Sequence, residues 1–75
     1  MSTDPTSRKT EFGQLAKEFG GLTLPLEILR SQAGWYIGTR LKGAPYSRES
    51  AEYYATGDAA ERALNARQWT QRPAP

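Results

Sequence analysis

The middle of the chain alternates between apolar and polar residues with a period of two, which is the spacing of a β-strand. The clearest case is residues 34–41, GWYIGTRL. The pattern predicts two faces: Trp35, Ile37, Thr39 and Leu41 on one, and Tyr36, Gly38 and Arg40 on the other. We expect the first face to pack on the core. On the second, Gly38 leaves a shallow gap, which could admit a base or a partner's side chain, or let the sheet bend.

Residues 22–30, LTLPLEILR, also alternate. Their apolar face consists of Leu22, Leu24, Leu26 and Ile28. The pattern favours a strand, and because Pro25 cannot donate a ladder hydrogen bond, this strand should lie at a sheet edge. The alternative is a helix of one or two turns that begins with Pro25 at its first position.

The next segment predicts a hairpin. Residues 42–45 form its loop, in which Gly43 can take a positive φ. Residues 46–50 return as the partner strand, with a kink or bulge at 49–51, where serine hydroxyls can satisfy backbone groups. Residues 52–55 continue this strand or form a further short one.

A helix is predicted over Gly57–Ala66. Thr56 is a favourable N-cap, and Asp58 in the first turn suits the helix dipole. Its inner face is formed by small residues and one leucine: Ala59, Ala60, Ala63 and Leu64. The small side chains imply a close approach to the sheet.

A second, shorter amphipathic helix is predicted over residues 10–19, where Gly20-Gly21 supplies the stop. Its apolar stripe consists of Phe12, Leu15, Ala16 and Phe19. We expect this stripe to dock on the domain's own sheet. The alternative is a dimerisation or partner surface.

These elements predict an α+β fold: a three-stranded antiparallel sheet with the helix Gly57–Ala66 packed across it and a short helix near the N-terminus. The 75 residues allow one small domain, which we place at residues 10–72. Residues 1–9 are polar and predicted to be disordered, and residues 73–75 are predicted to be a frayed tail.

The chain contains no cysteine and no histidine, so thiolate metal sites and histidine-based catalysis lack their residues. The acids of the second half match no calcium loop and no paired-acid site: Glu49, Glu52, Asp58 and Glu61. We therefore predict a protein that is not an enzyme and has no cofactor and no metal. No run approaches the roughly 18 apolar residues of a membrane span. Residues 1–10 lack the apolar region of a secretory signal, so we expect the cytoplasm and no membrane partner.

Six segments form an ordered set: LPLEIL (24–29), GWYIGT (34–39), YSRES (46–50), EYYAT (52–56), AAERAL (59–64) and WTQR (69–72). The set resembles a family of short, mostly uncharacterised proteins of proteobacteria, their plasmids and their phages. It implies a small standalone protein of mobile elements and brings no established activity. The hairpin–strand–helix order is also similar to the DNA-binding arms of phage integrases and to the double-stranded-RNA-binding fold. Because the helix lacks a basic end and the loops lack a lysine cluster, that likeness is topological and carries no function.

The outer face of the hairpin is the main candidate binding surface. Tyr36 and Arg40 point away from the core, and the register can place Tyr46 and Arg48 opposite them. Tyrosines and arginines on a sheet could stack on bases and pair with phosphates. They could also anchor a protein partner, or only cover a solvated face.

A second candidate contact lies near the C-terminus, where Trp69 is flanked by Arg67 and Arg72. These residues could bind a backbone phosphate or the groove of a protein partner. Alternatively, Trp69 could close the edge of the core.

Charge distribution separates two functional hypotheses. Residues 31–75 carry six basic and four acidic side chains, whereas the whole chain has a net charge of only +2. The local excess favours a small non-catalytic binding or regulatory protein of a mobile genetic element that contacts DNA or RNA through the sheet face, as a monomer or dimer. The balanced total favours the alternative, a protein-binding inhibitor or accessory factor with a host-defence or plasmid-maintenance partner.

Overall fold

The computed structural model describes residues 11–75, which contain a three-stranded antiparallel sheet and two helices. In chain order the elements are α1 (Gln14–Gly20), β1 (Glu27–Ser31), β2 (Gly34–Leu41), β3 (Ala44–Arg48) and α2 (Gly57–Ala66). The α+β prediction is therefore confirmed. The predicted disordered tail, residues 1–9, lies outside the described residues.

The sheet order is β1-β2-β3, so the strand with the clearest alternation is central. The strand prediction for residues 22–30 is confirmed over Glu27–Ser31, and the alternative helix beginning at Pro25 is wrong. Pro25 instead forms an isolated bridge with Phe12, before the strand starts. The register pairs Leu29 with Tyr36, which places both side chains on one face.

The hairpin between β2 and β3 is tighter than predicted. Its turn consists of Lys42 and Gly43 alone, at φ 54° and 81°, which suits the twist of a two-residue hairpin. Strand β3 therefore begins at Ala44 rather than at Tyr46. The predicted bulge is present, since the N–H groups of Glu49 and Ser50 both donate to a single carbonyl of β2.

Beyond the bulge the chain stays beside β2. Tyr54 and Trp35 exchange two backbone hydrogen bonds of 2.7 and 2.8 Å, so residues 52–55 continue the hairpin arm. The predicted role of the serines is confirmed at Ser50, whose hydroxyl accepts from Ile37 N–H and donates to the Glu52 carbonyl.

Helix α2 has the predicted bounds and cap. The Thr56 hydroxyl accepts a 3.0 Å hydrogen bond from Ala59 N–H, and Ala60 is fully buried. At the helix start, Gly57 lies against the Trp35 ring, where an added Cβ would come within 3.2 Å of it. The helix thus packs on the face of β2 that carries Trp35, as the alternation predicts.

Helix α1 is shorter than predicted. It begins at Gln14, and Phe12 precedes it in an extended segment. Leu15 and Ala16 are buried, so the helix docks on its own domain, whereas Phe12 and Phe19 are exposed. The expected apolar stripe is therefore divided between a docked half and an open half.

The outer face of β2 is also covered, which corrects the prediction that it is open. Tyr36 is only 7% exposed and packs edge-on against Tyr53, with 6.0 Å between the ring centroids. The gap at Gly38 is filled, because a Cβ there would meet the Tyr36 ring, the Leu29 side chain and the β3 backbone.

Candidate functional site

Three of the four residues predicted to share a binding face lie on one face of the sheet, since Tyr36 and Arg40 each lie two residues from Gly38, which pairs with Arg48. Tyr36 is buried, and Arg40 is exposed and paired with Glu27 at 3.2 Å. The Arg48 guanidinium lies 4.6 Å from the centre of the Tyr53 ring. It also donates to two backbone carbonyls of the following turn at 2.8 and 3.2 Å. All three side chains therefore make contacts within the protein itself.

Tyr46 is separated from the other three by a second irregularity in the sheet. Thr39 pairs with Ser47 but Arg40 pairs with Pro45, so Tyr46 is the extra residue of a bulge. A bulge redirects the side chain of its strand. The Tyr46 hydroxyl accordingly lies beside Gly20 at the end of α1, on the helix side of the sheet.

The residues of the second predicted contact, near the C-terminus, also lie in different places. Arg67 takes a left-handed conformation that ends α2, and its guanidinium pairs with Glu11. Trp69 is half-buried. Arg72 lies elsewhere, in a short segment that pairs with the end of the hairpin, where its N–H donates to the Glu49 carbonyl at 2.8 Å.

The structure brings three of the predicted residues, Tyr46, Arg48 and Arg72, to one groove between α1, β3 and the C-terminal segment. This α1–β3 groove has a volume of about 440 Å³, and its lining residues are Leu15, Phe19, Gly20, Tyr46, Ser47, Arg48, Arg72 and Pro75. Two of its aromatic side chains are open to solvent, since Phe19 is 60% and Tyr46 41% exposed. Leu15, which is buried, supplies an apolar floor.

One buried carboxylate holds the walls of the α1–β3 groove together. Glu49 Oε1 accepts from Leu15 N–H at 2.9 Å and from Gln71 Nε2 at 2.8 Å. Its Oε2 accepts from Ala16 N–H at 3.1 Å and from the Ser47 hydroxyl at 2.6 Å. Glu49 therefore caps α1 from another part of the chain and joins that helix to the segment that carries Arg72.

The charge of Glu49 is stabilised despite its burial. Burial raises the pKa of Glu49, but hydrogen bonds from Leu15, Ser47, Gln71 and Ala16 outweigh it and lower the pKa below 4.5. The folded state therefore stabilises the ionised form of Glu49.

Sequence reasoning missed Glu49, Leu15 and Phe19 as parts of one site. A signal for Glu49 exists, because Gly13, the residue before α1, has no side chain that could cap the helix. The first N–H groups of α1 therefore need an acceptor from elsewhere. A Cβ at Gly13 would meet Glu49 and Thr39, so glycine is what allows this approach.

The chemistry of the α1–β3 groove is that of binding. Its lining offers aromatic surface, hydroxyls and a guanidinium, and the Glu49 carboxylate beneath it is fully used by hydrogen bonds. Within residues 11–75 no group of acidic side chains could hold a metal ion. No helix in that part of the chain is long and apolar enough to cross a membrane.

The chain matches no family model, no curated protein and no solved structure. The resemblance to plasmid and phage proteins therefore stays a prediction.

Proposed function

We propose that this is a small non-catalytic binding protein that takes an apolar segment of a protein partner into the α1–β3 groove. The observation that carries the proposal is the pair of exposed aromatics, Phe19 and Tyr46, that line one preformed groove. Ligand sites are typically concave and mostly apolar with a few polar groups, and aromatic anchors dominate protein interfaces. A small standalone protein of a mobile element, as the motif resemblance implies, fits this role.

The rival proposal, contact with DNA or RNA through the sheet, has less support from the geometry. Tyr36 is buried, and the guanidinium groups of Arg40 and Arg48 are used inside the molecule. Two observations still favour it: the arginine excess of residues 31–75, and exposed aromatics that could stack on bases. A phosphate-binding protein loses affinity steeply with salt, so the two functions are separable by experiment.

The test uses Phe12 as a matched control, because it is 53% exposed, close to Phe19 in sequence, and outside the groove lining. Proteins that the wild type retains from a cell lysate are purified and titrated by calorimetry against the wild type, Phe12→Ser, Phe19→Ser and Tyr46→Ser. We expect Phe19→Ser to weaken binding about tenfold or more, as for an aromatic hot spot. Equal binding by Phe12→Ser and Phe19→Ser would overturn the proposal. A salt-sensitive gel shift with random DNA or RNA would favour the rival.

A further inference from the structure

The α1–β3 groove has a definite charge character as well as an apolar one. Two of its lining residues are basic, Arg48 and Arg72, and none is an aspartate or a glutamate. The Arg48 guanidinium lies on the Tyr53 ring and donates to the Ser50 and Ala51 carbonyls. Among residues 11–75, Arg40 and Arg67 are the arginines that pair with a carboxylate, so Arg72 has no ion pair there. A partner that fills this groove therefore meets the Arg72 guanidinium.

Most N–H donors of the Arg72 guanidinium have no acceptor among residues 11–75. Its one side-chain hydrogen bond in the described structure runs from Nη1 to the Arg48 carbonyl at 3.3 Å, whereas a guanidinium carries five N–H donors. The position of Arg72 is fixed by its own backbone hydrogen bond to Glu49 and by the Gln71 contacts beside it. A guanidinium held in place with free donors is well suited to pairing with a carboxylate.

From this complementarity, and resting on the proposed function, we propose that the α1–β3 groove recognises an acidic peptide segment. A large apolar side chain of the segment packs on Phe19 and Tyr46, and a neighbouring carboxylate pairs with Arg72. A nucleic acid strand fits less well. It needs a row of cations along its phosphates, and the Arg48 guanidinium is already bound to the Ser50 and Ala51 carbonyls.

The test is a titration of ¹⁵N-labelled full-length protein with acetylated, amidated hexapeptides at up to millimolar concentration. The first peptide is Gly-Ser-Phe-Asp-Ser-Gly, and its matched partners replace Asp by Asn or Phe by Ala. A short oligothymidylate is the fourth probe. We expect the Phe-Asp peptide to shift the amide signals of Phe19, Tyr46 and Arg72. The Asn peptide should bind about three- to fivefold more weakly, as for a partly exposed ion pair.

The protein variants separate this inference from the proposed function. Arg72→Gln should lower affinity for the Asp peptide to that of the Asn peptide, Arg72→Lys should recover part of it, and Arg62→Gln on the exposed side of α2 should change nothing. Equal affinity for the Asp and Asn peptides, with Phe19→Ala still weaker than Phe12→Ala, would overturn the acidic preference and leave the groove function standing. No groove shift with any peptide would overturn both proposals. Stronger shifts with oligothymidylate would assign the groove to nucleic acid.

Discussion

Glu49 is the residue on which most of the site depends. A buried carboxylate is tolerated only when hydrogen bonds replace the water it loses, and here two backbone N–H groups, a hydroxyl and an amide do so. The donors come from α1, from β3 and from the C-terminal segment. Loss of this one charge therefore weakens three parts of the fold at once.

Glu49→Gln should lower the free energy of unfolding by about 2 kcal/mol, because hydrogen bonds to a charged group are lost and an amide is turned toward N–H donors. Urea denaturation at neutral pH measures the change. Glu61→Gln, on the exposed side of α2, is the control and should stay within about 0.5 kcal/mol of wild type. Equal stability of the two variants would mean that Glu49 does not hold the fold together.

The lowered pKa of Glu49 predicts how stability depends on pH. Because the folded pKa lies below the ordinary value of 4.5, the stabilisation is fully present above pH 4.5 and is lost as the pH falls through the folded pKa. Urea midpoints of the wild type should therefore drop on acidification through this range, and those of Glu49→Gln should drop less. Glu52 also has a lowered pKa, so part of the drop should remain in the variant. Parallel curves would contradict the assignment.

A helix or strand can be predicted from local sequence where the residues that stabilise it are close to it in sequence. Thr56 caps helix α2 by accepting from the N–H of Ala59, three residues later. The start of the helix, at Gly57, packs on the Trp35 ring. Helix α1 is different, because it has seven residues and its capping acceptor is Glu49, directly after β3. An isolated helix of that length is not stable in water, so α1 depends on tertiary contacts.

Thr56→Ala should therefore cost about 1 kcal/mol of stability through the lost N-cap. Thr56→Ser keeps the hydroxyl and should remain close to wild type. Thermal melts followed by circular dichroism compare the two variants. If alanine and serine gave the same midpoint, the 3.0 Å hydrogen bond to Ala59 N–H would have no stabilising role.

Across the protein, a single three-stranded sheet is covered on both faces by different means. Helices α1 and α2 lie on the Trp35 side. On the other side the hairpin arm returns Tyr53, which packs on Tyr36 and also contacts the Arg48 guanidinium. A domain this small buries only about 60% of the surface its unfolded chain exposes. Four large apolar side chains of residues 11–75 stay exposed, namely Phe12, Phe19, Tyr46 and Tyr53, and two of them, Phe19 and Tyr46, line the α1–β3 groove.

Hydrogen exchange should show that Glu49 couples α1 to the C-terminal segment. In Glu49→Gln, the amides of Leu15, Ala16 and Arg72 should all lose protection. The Trp35 and Tyr54 amides, which pair within the sheet, should lose less. Loss confined to α1 alone would show that the two walls of the groove are independent.

The local sequence pattern was sufficient to predict several elements of this protein. The period of two located β2 and assigned Trp35 and Ile37 to the helix side, and the Thr56 cap located α2. These features depend on neighbours a few residues away, which periodicity and capping rules describe.

Tertiary structure alone decided which residues form the site. A single bulge moves Tyr46 to the helix side, and the returning chain covers Tyr36. Glu49 finds its partners 34 and 22 residues away, at Leu15 and Gln71. The physical reason is that a strand period is broken by one extra residue, and contacts at such separation depend on how the whole chain packs. The α1–β3 groove is therefore a property of the assembled fold rather than of any segment.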